Sequence, residues 1–232
     1  VGPPFAPQCF DSGIADGKPF IAMELIRGET LAQNLAERPL LPGPAWVASI
    51  AEGVAKALRA VHSQSFVHRD LKPENVVLAD GGSRTVLLDF GLAKKAAMRE
   101  SEVRETRITR AGMAIGTPEY MAPETVRGMD DVDSRVDVYS FGVLLYELFT
   151  LRVPFVGSGA MVEHGHVSLR PPRPSDFAPV PPLWEQLILS CLSKDPSRRP
   201  MNADALLRAI REIIDVEPLL KSMTAPRSVP NP

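Results

Sequence analysis

Cysteine is scarce in this sequence: Cys9 and Cys191 are the only two in 232 residues, far apart and in no metal-ligand spacing. That leaves no disulfide framework and no thiolate metal site, and the pair reads as two reduced thiols of an intracellular, cytoplasmic chain. No run approaches the ~20 consecutive apolar residues of a membrane helix, so no membrane segment is expected within the chain. No signal peptide opens it. Charge of either sign is not in excess: the net charge is -2, which gives no reason to expect nucleic acid or an anionic membrane as a partner. Internal repeats are absent too. The remaining composition, 44% hydrophobic and 23% charged, suits a globular chain with a full core, as one large domain or two small ones.

Periodicity orders the chain. The apolar run Phe20 to Leu25 predicts a buried strand that Gly28 breaks, and Thr30 is placed to cap a short helix through Ala36. Trp46, Ile50, Val54, Leu58 and Val61 recur at helical spacing between Pro44 and His62, which predicts an amphipathic helix with proline in its first turn and Trp46 in the core. Val76 to Leu78 and Thr85 to Leu88 read as strands joined by the tight turn Asp80-Gly81-Gly82. The polar stretch 92–115 reads as a loop. Arg135 to Thr150 is apolar nearly all round and predicts a central buried helix. The proline-rich stretch 171–182 cannot be helix and reads as a rigid connection, or as a polyproline ligand. Helical spacing returns over Leu183 to Leu192 and Asn202 to Ile214. A few strands followed by helices make an α+β arrangement. Residues 1–214 are assigned to one domain and 215–232 to a proline-rich linker.

The chemistry gathers in His68-Arg69-Asp70-Leu71-Lys72-Pro73-Glu74-Asn75, then Asp89-Phe90-Gly91, then Ala122-Pro123-Glu124. In this string and order the sequence resembles the protein kinase family, specifically its Ser/Thr branch as found in bacteria. The resemblance runs from about residue 5 to 214 and implies a kinase-like fold: residues 1–25 as a remnant of the β-rich N-terminal lobe and hinge strand, 26–214 as the helical C-terminal lobe. It implies ATP and Mg²⁺ as cofactors and protein Ser/Thr hydroxyls as substrate. Residue chemistry agrees, because phosphoryl transfer asks for positioning and charge neutralisation. Asp70 would accept the hydroxyl proton and Lys72 would meet the phosphoryl oxygens. Asn75 and Asp89 offer the hard oxygens that Mg²⁺ prefers. Each of these, met alone, would be an ordinary surface side chain.

Further roles rest on the resemblance. Thr117, in Gly116-Thr117-Pro118-Glu119-Tyr120, would bridge Asp70 and Lys72 by its hydroxyl. Met23, Glu24 and Ile26 resemble the hinge that meets adenine, Val77 the apolar floor of that pocket, and Glu29 the acid near the ribose. His68 and Phe90 are packed residues that hold the motif loops. Asp137 would hold the backbone around His68 and Arg69, and Glu124 with Arg199 would form a buried ion pair. Arg69 would pair with a phosphothreonine, Thr109 first and Thr106 second, with Ser101 a distant third. No G-x-G-x-x-G occurs, and Val54-Ala55-Lys56 lies in a helix after the hinge, so it is not the family's strand lysine; Lys18 is a turn residue too close to the hinge. The chain opens on Val1 in mid-pattern, and the expectation is that these elements precede it, leaving the 232 residues inactive alone. The alternative is a kinase-fold scaffold that binds partners without catalysis. A membrane anchor after Pro232 stays open, as does the oligomeric state.

Overall fold

The structure, a computed structural model, describes residues 2–16, 18–37, 40–89, 117–129 and 132–216. Phe90, Gly91, Gly116, Ser101, Thr106, Thr109, the 92–115 stretch and the tail from 217 lie outside the described residues.

Two antiparallel strands, β1 (Cys9–Ala15) and β2 (Lys18–Met23), open the chain as a separate two-stranded sheet. Cys9 faces Met23 and Ala15 faces Lys18, with an irregularity between Cys9 and Asp11. Lys18 is thus a strand residue paired across the hairpin, where the sequence suggested a turn. Every residue of β1 is exposed. A lone hairpin buries too little to be stable by itself; Glu24 N–H donates to Gln8 C=O at 2.8 Å and extends this one by a pair, and Leu87 N–H donating to Phe5 C=O at 2.9 Å ties its leading segment to the second sheet.

A second sheet runs β3 (Gly28–Thr30), β4 (Val76–Ala79), β5 (Arg84–Leu87), all antiparallel. Gly28 does not break a strand. It begins β3, and a Cβ there would lie 2.4 Å from Leu78 C=O, so only glycine permits that approach. The β4–β5 turn has Asp80, Gly81 and Gly82 all at positive φ, as the Asp-Gly-Gly signal requires. Period-2 alternation then splits the sheet's two faces. Val76, Leu78 and Leu87 join the main core, whereas Val77, Ala79 and Val86 form a small separate cluster with Ile26 and Leu88.

Helices form the body. Thr30 caps α1 (Leu31–Ala36) through a reciprocal capping box with Gln33. Helix α2 (Pro44–His62) buries ten residues, five of them alanine. Its apolar face is wider than the stripe of large residues suggested, because alanine lets neighbours approach. Trp46 is only partly buried against that core. Gly53 meets Thr85 of β5, where a Cβ would fall 2.2 Å from the hydroxyl oxygen. A short α3 (Pro123–Val126) precedes α4 (Arg135–Thr150), the central helix, of which fourteen residues are buried. It ends on Leu151 in the left-handed region, a usual helix stop. Then come α5 (Gly159–Ser168), which periodicity did not reveal, α6 (Pro182–Cys191) and α7 (Ala203–Val216). The proline-rich connection contains one 3₁₀ turn, Pro174–Asp176, and α6 starts at its last proline. Among the described helices, α2 packs along α7 and α4 along α6. No described helix is long and apolar enough to cross a membrane. This is the α+β arrangement expected from the sequence.

Candidate active site

The segment between α2 and β4 is fixed from beneath by one carboxylate. Asp137, fully buried in the first turn of α4, receives Arg69 N–H on Oδ1 at 2.8 Å and His68 N–H on Oδ2 at 2.8 Å. The same Oδ2 receives His62 Nε2–H at 2.8 Å. These donors offset the cost of burying an ionised group. Arg69 sits at φ 64, a region that strains a non-glycine residue by about 1–3 kcal/mol. The clamp from Asp137 holds it there, with its side chain outward and exposed.

His68 forms the next layer. Its Nε2–H donates to Leu88 C=O at 2.9 Å and its Nδ1 accepts Asp70 N–H at 3.3 Å. Only the neutral Nε2–H tautomer satisfies both, and burial holds the imidazole's pKa below its ordinary value, against the nearby Asp137 carboxylate. His68 therefore joins the two loops that carry Asp70 and Asp89.

Above this frame sit the side chains that the sequence offered as candidates for the chemistry. Lys72 Nζ donates to Thr117 Oγ1 at 2.9 Å and lies 3.5 Å from Asp70 Oδ2. The bridge between Asp70 and Thr117 is therefore the Lys72 ammonium, where the sequence reading gave the bridging part to the Thr117 hydroxyl. Asn75 Nδ2 donates twice to Asp70, to its backbone C=O at 2.8 Å and to Oδ2 at 3.1 Å. Both neighbours are acceptors, so the amide nitrogen must face them. The Asn75 carbonyl oxygen is then turned away from Asp70 and left for another partner. Leu88 N–H donates to Asn75 C=O at 2.8 Å, extending the β4–β5 register by one pair. Asp89 follows at once, exposed and at φ 51. The turn at Gly81-Gly82 thus returns Asp89 beside Asn75, as the sequence suggested. Among the described residues no three His, Cys, Asp or Glu form a metal cage. An amide oxygen plus a carboxylate is the sparse hard-oxygen set that suits Mg²⁺, which keeps waters and substrate oxygens as its other ligands.

Of the hinge and adenine-pocket candidates, Val77 and Ile26 share the other face of β4. Val77 is buried in the small cluster that Ile26 covers. Glu24 spends its N–H on Gln8 and its carboxylate on Gln8 N–H (3.2 Å) and Arg84 (3.7 Å). Met23 is 44% exposed. Glu29 Oε2 accepts from Asn34 Nδ2 at 3.2 Å. Glu124 and Arg199 form the expected buried pair, fork to fork at 2.6 and 2.8 Å, with side chains 8% and 0% exposed. Arg199 also donates to the C=O groups of Ser193 and Arg135.

Two features escaped the sequence reading. His62, the last residue of α2, looked like a helix end and proves to be the third donor to Asp137. Tyr120 donates its hydroxyl to Glu147 of α4 beneath the segment that carries Thr117, and burial pushes both pKa values up. Neither carries a local motif; only chain topology joins residues so far apart.

Comparison with known proteins agrees with this geometry. A family model described as protein kinase domain matches residues 8–209. The chain is 40% identical over 210 residues to the serine/threonine-protein kinase pkn3 of Myxococcus xanthus, spanning 87% of this chain and 37% of that protein. It is 38% identical over 208 residues to the serine/threonine-protein kinase PknL of Mycobacterium tuberculosis, spanning 88% of this chain and 50% of that protein. The chain therefore spans half or less of these relatives' own length. Among solved structures, the PknI kinase domain of Mycobacterium tuberculosis superposes with a TM-score of 0.70 at 28% identity, over 91% of this chain and 73% of that one. The sequence matches, the fold and the order of these loops agree: the chain belongs to the protein kinase domain family.

Proposed function

We propose that this chain carries the phosphoryl-transfer site of a Ser/Thr protein kinase, with ATP and Mg²⁺ as cofactors and Ser or Thr hydroxyls of proteins as acceptors. One observation carries the reading: the Lys72 ammonium stands between Asp70 and Thr117, while Asn75 is held by Asp70 with its carbonyl oxygen turned away. In this reading Asp70 accepts the proton of the attacking hydroxyl and Lys72 faces the oxygens of the transferred group. Thr117 keeps Lys72 in place and narrows the approach to a short hydroxyl side chain. Asn75 and Asp89 would hold Mg²⁺, which when bound neutralises charge on the phosphates. The backbone of Glu24 and Ile26 beside Met23 meets adenine, Val77 forms its apolar floor, and Glu29 lies toward the ribose. The names of the relatives support the Ser/Thr substrate class.

Arg69 is the regulatory contact in this reading. It is exposed beside Asp70, and a phosphate on Thr109 or Thr106 would give its guanidinium a charge-assisted partner. Mass spectrometry of the active intact protein should find that phosphate; its absence from both threonines removes this part of the reading.

Asp70→Asn keeps the volume and the acceptor for Asn75 but removes the base. In the intact protein it should lower Ser/Thr phosphorylation by about 10²–10⁴-fold with ATP binding retained. A folded Asp70→Asn protein with near-normal turnover overturns the assignment. A scaffold of the same fold would bind its partners equally well in both forms and phosphorylate nothing in either. The assembled contacts of Asp70, Lys72, Asn75 and Thr117 favour the enzyme, because partner binding alone makes no demand on them.

A further inference from the structure

The turn that follows Thr117, Pro118–Tyr120, is supported by two helices. From α4, the Ser140 hydroxyl donates to Tyr120 C=O at 2.7 Å, and Glu147 takes the Tyr120 hydroxyl. The other support comes from α5. His166, fully buried there, packs edge-on against Phe155 and Tyr139, with ring centroids 5.0 and 5.6 Å away. Gly165 makes room for this packing, since a Cβ on it would fall 2.6 Å from the Phe155 ring.

One ammonium sets the proton directions in this cluster. Lys194 can only donate, and it does so to Gly165 C=O at 3.0 Å and to the Tyr139 hydroxyl oxygen at 3.3 Å. The Tyr139 O–H is then turned to His166 Nδ1, at 2.8 Å. Burial first, and the Lys194 charge second, push the imidazole's pKa down to about 4, so the ring is neutral and its one proton sits on Nε2. That nitrogen is buried and closes no hydrogen bond of normal geometry. The group at hand is the backbone of Glu119, which draws the imidazole's pKa upward, as a carbonyl oxygen does and an N–H does not. The Nε2–H therefore meets Glu119 C=O in a loose bond. The opposite tautomer would leave the Tyr139 proton unplaced and set a bare nitrogen against that carbonyl.

We propose that His166 is a positioning residue: set by Lys194 and Tyr139, its Nε2–H fixes the turn Pro118–Tyr120 and so keeps the Thr117 hydroxyl on Lys72, 2.9 Å away. The role rests on the phosphoryl-transfer reading of Asp70 and Lys72. Without this donor the turn keeps both α4 supports at Tyr120 but is free at Glu119, one residue nearer Thr117. A slip of about 1 Å in a catalytic site typically costs 10²-fold in rate, so a partial slip here should cost about ten-fold.

Two amide side chains separate the roles of the ring nitrogens. Asparagine can place its oxygen where Nδ1 stood but reaches no further; glutamine can place its NH₂ where Nε2–H stood. The assay uses the intact protein with ATP, Mg²⁺ and a degenerate Ser/Thr peptide library. His166→Asn should lower kcat about ten-fold and leave KM for ATP within about two-fold, because the adenine side is untouched. His166→Gln should restore kcat to within about three-fold of the unaltered protein. Deuterium exchange at the Tyr120 and Met121 amides, which close the turn on Thr117 and Pro118 C=O, should quicken in His166→Asn and not in His166→Gln. Tyr139→Phe frees the tautomer; it should cost about three-fold alone and nothing further beside His166→Asn. An unchanged kcat in His166→Asn, or equal losses in the Asn and Gln variants, overturns the proposal. Tyr139→Phe keeps the buried ring and carries the test if His166→Asn does not fold: an unchanged kcat then overturns it. Asp70→Asn, assayed alongside, separates the two readings. If it keeps near-normal turnover, the phosphoryl-transfer reading falls and the positioning role with it; if it is inactive while His166→Asn is fully active, the positioning role alone falls.

Discussion

Replacing Asp137 by asparagine tests how one buried side chain holds the active-site loop. The carboxylate accepts three donors on two oxygens: Arg69 N–H on Oδ1, and His68 N–H with His62 Nε2–H on Oδ2. Asparagine has one acceptor oxygen, so its amide nitrogen must confront at least one donor whichever way it turns. The better orientation keeps oxygen at the Oδ2 position and turns the NH₂ toward Arg69 N–H. That orphans one N–H, at about 1–3 kcal/mol, and weakens two bonds that were charge-assisted, at roughly 1 kcal/mol in total. Release of the strained φ at Arg69 returns part of this. With about 1 kcal/mol returned in that way the expected net loss is about 1–3 kcal/mol, and at ~2–4 °C per kcal/mol for a chain of this size the melting temperature should fall by roughly 2–12 °C. Urea unfolding measures the first quantity and a thermal melt the second. Arg69 should also relax toward negative φ, shifting Asp70, and a displacement of about 1 Å typically lowers turnover 10²-fold. An Asp137→Asn chain that loses under 0.5 kcal/mol, to within the ~0.5 kcal/mol scatter of neutral surface changes, with an unshifted Arg69 amide, would refute the reasoning.

Three other perturbations follow from the same physics. Glu124→Gln should destabilise by about 3–5 kcal/mol because Arg199 stays buried and charged, whereas Lys56→Met, which breaks the half-buried Lys56–Glu52 pair at the solvent edge of α2, should cost under about 1 kcal/mol; paired urea titrations compare them. Gly142→Ala places a Cβ 2.6 Å from Cys191 Cβ, and the overpacking between α4 and α6 should cost about 1–3 kcal/mol, read as a lower urea midpoint. Burial, with Arg199 and Arg127 close by, pushes the Lys194 ammonium down to about 8 from the ordinary 10.5. Above pH about 8 the unfolded chain therefore holds a proton that the folded chain has released, so stability contributed by Lys194 rises with pH toward about 10. Lys194→Met should flatten that rise, and an unchanged slope would sink the assignment.

Much of this protein was legible before folding. The helices at Pro44–His62 and Arg135–Thr150 and the cap at Thr30 follow from 3.6-residue spacing and capping chemistry, which are local and survive in the linear sequence. The Asp-Gly-Gly turn between β4 and β5 was local in the same way. The eight-residue string from His68 to Asn75 offered the candidates Asp70, Lys72 and Asn75 together because they sit within one loop. Helix α5 was hidden because its burial comes from Val162, Gly165 and His166, too few apolar residues to show a period. The ties of His62 to Asp137 and of Tyr120 to Glu147 span tens of residues, and the bridging part of Lys72 depends on where Thr117 arrives in space. Each is a pairing of polar groups across elements, and its partner is chosen by which backbones the core brings together. The sequence alone determined which segments coil and which residues are candidates for the chemistry; the tertiary structure decided the pairings that no motif marks, because desolvation makes partners obligatory only once the chain has packed.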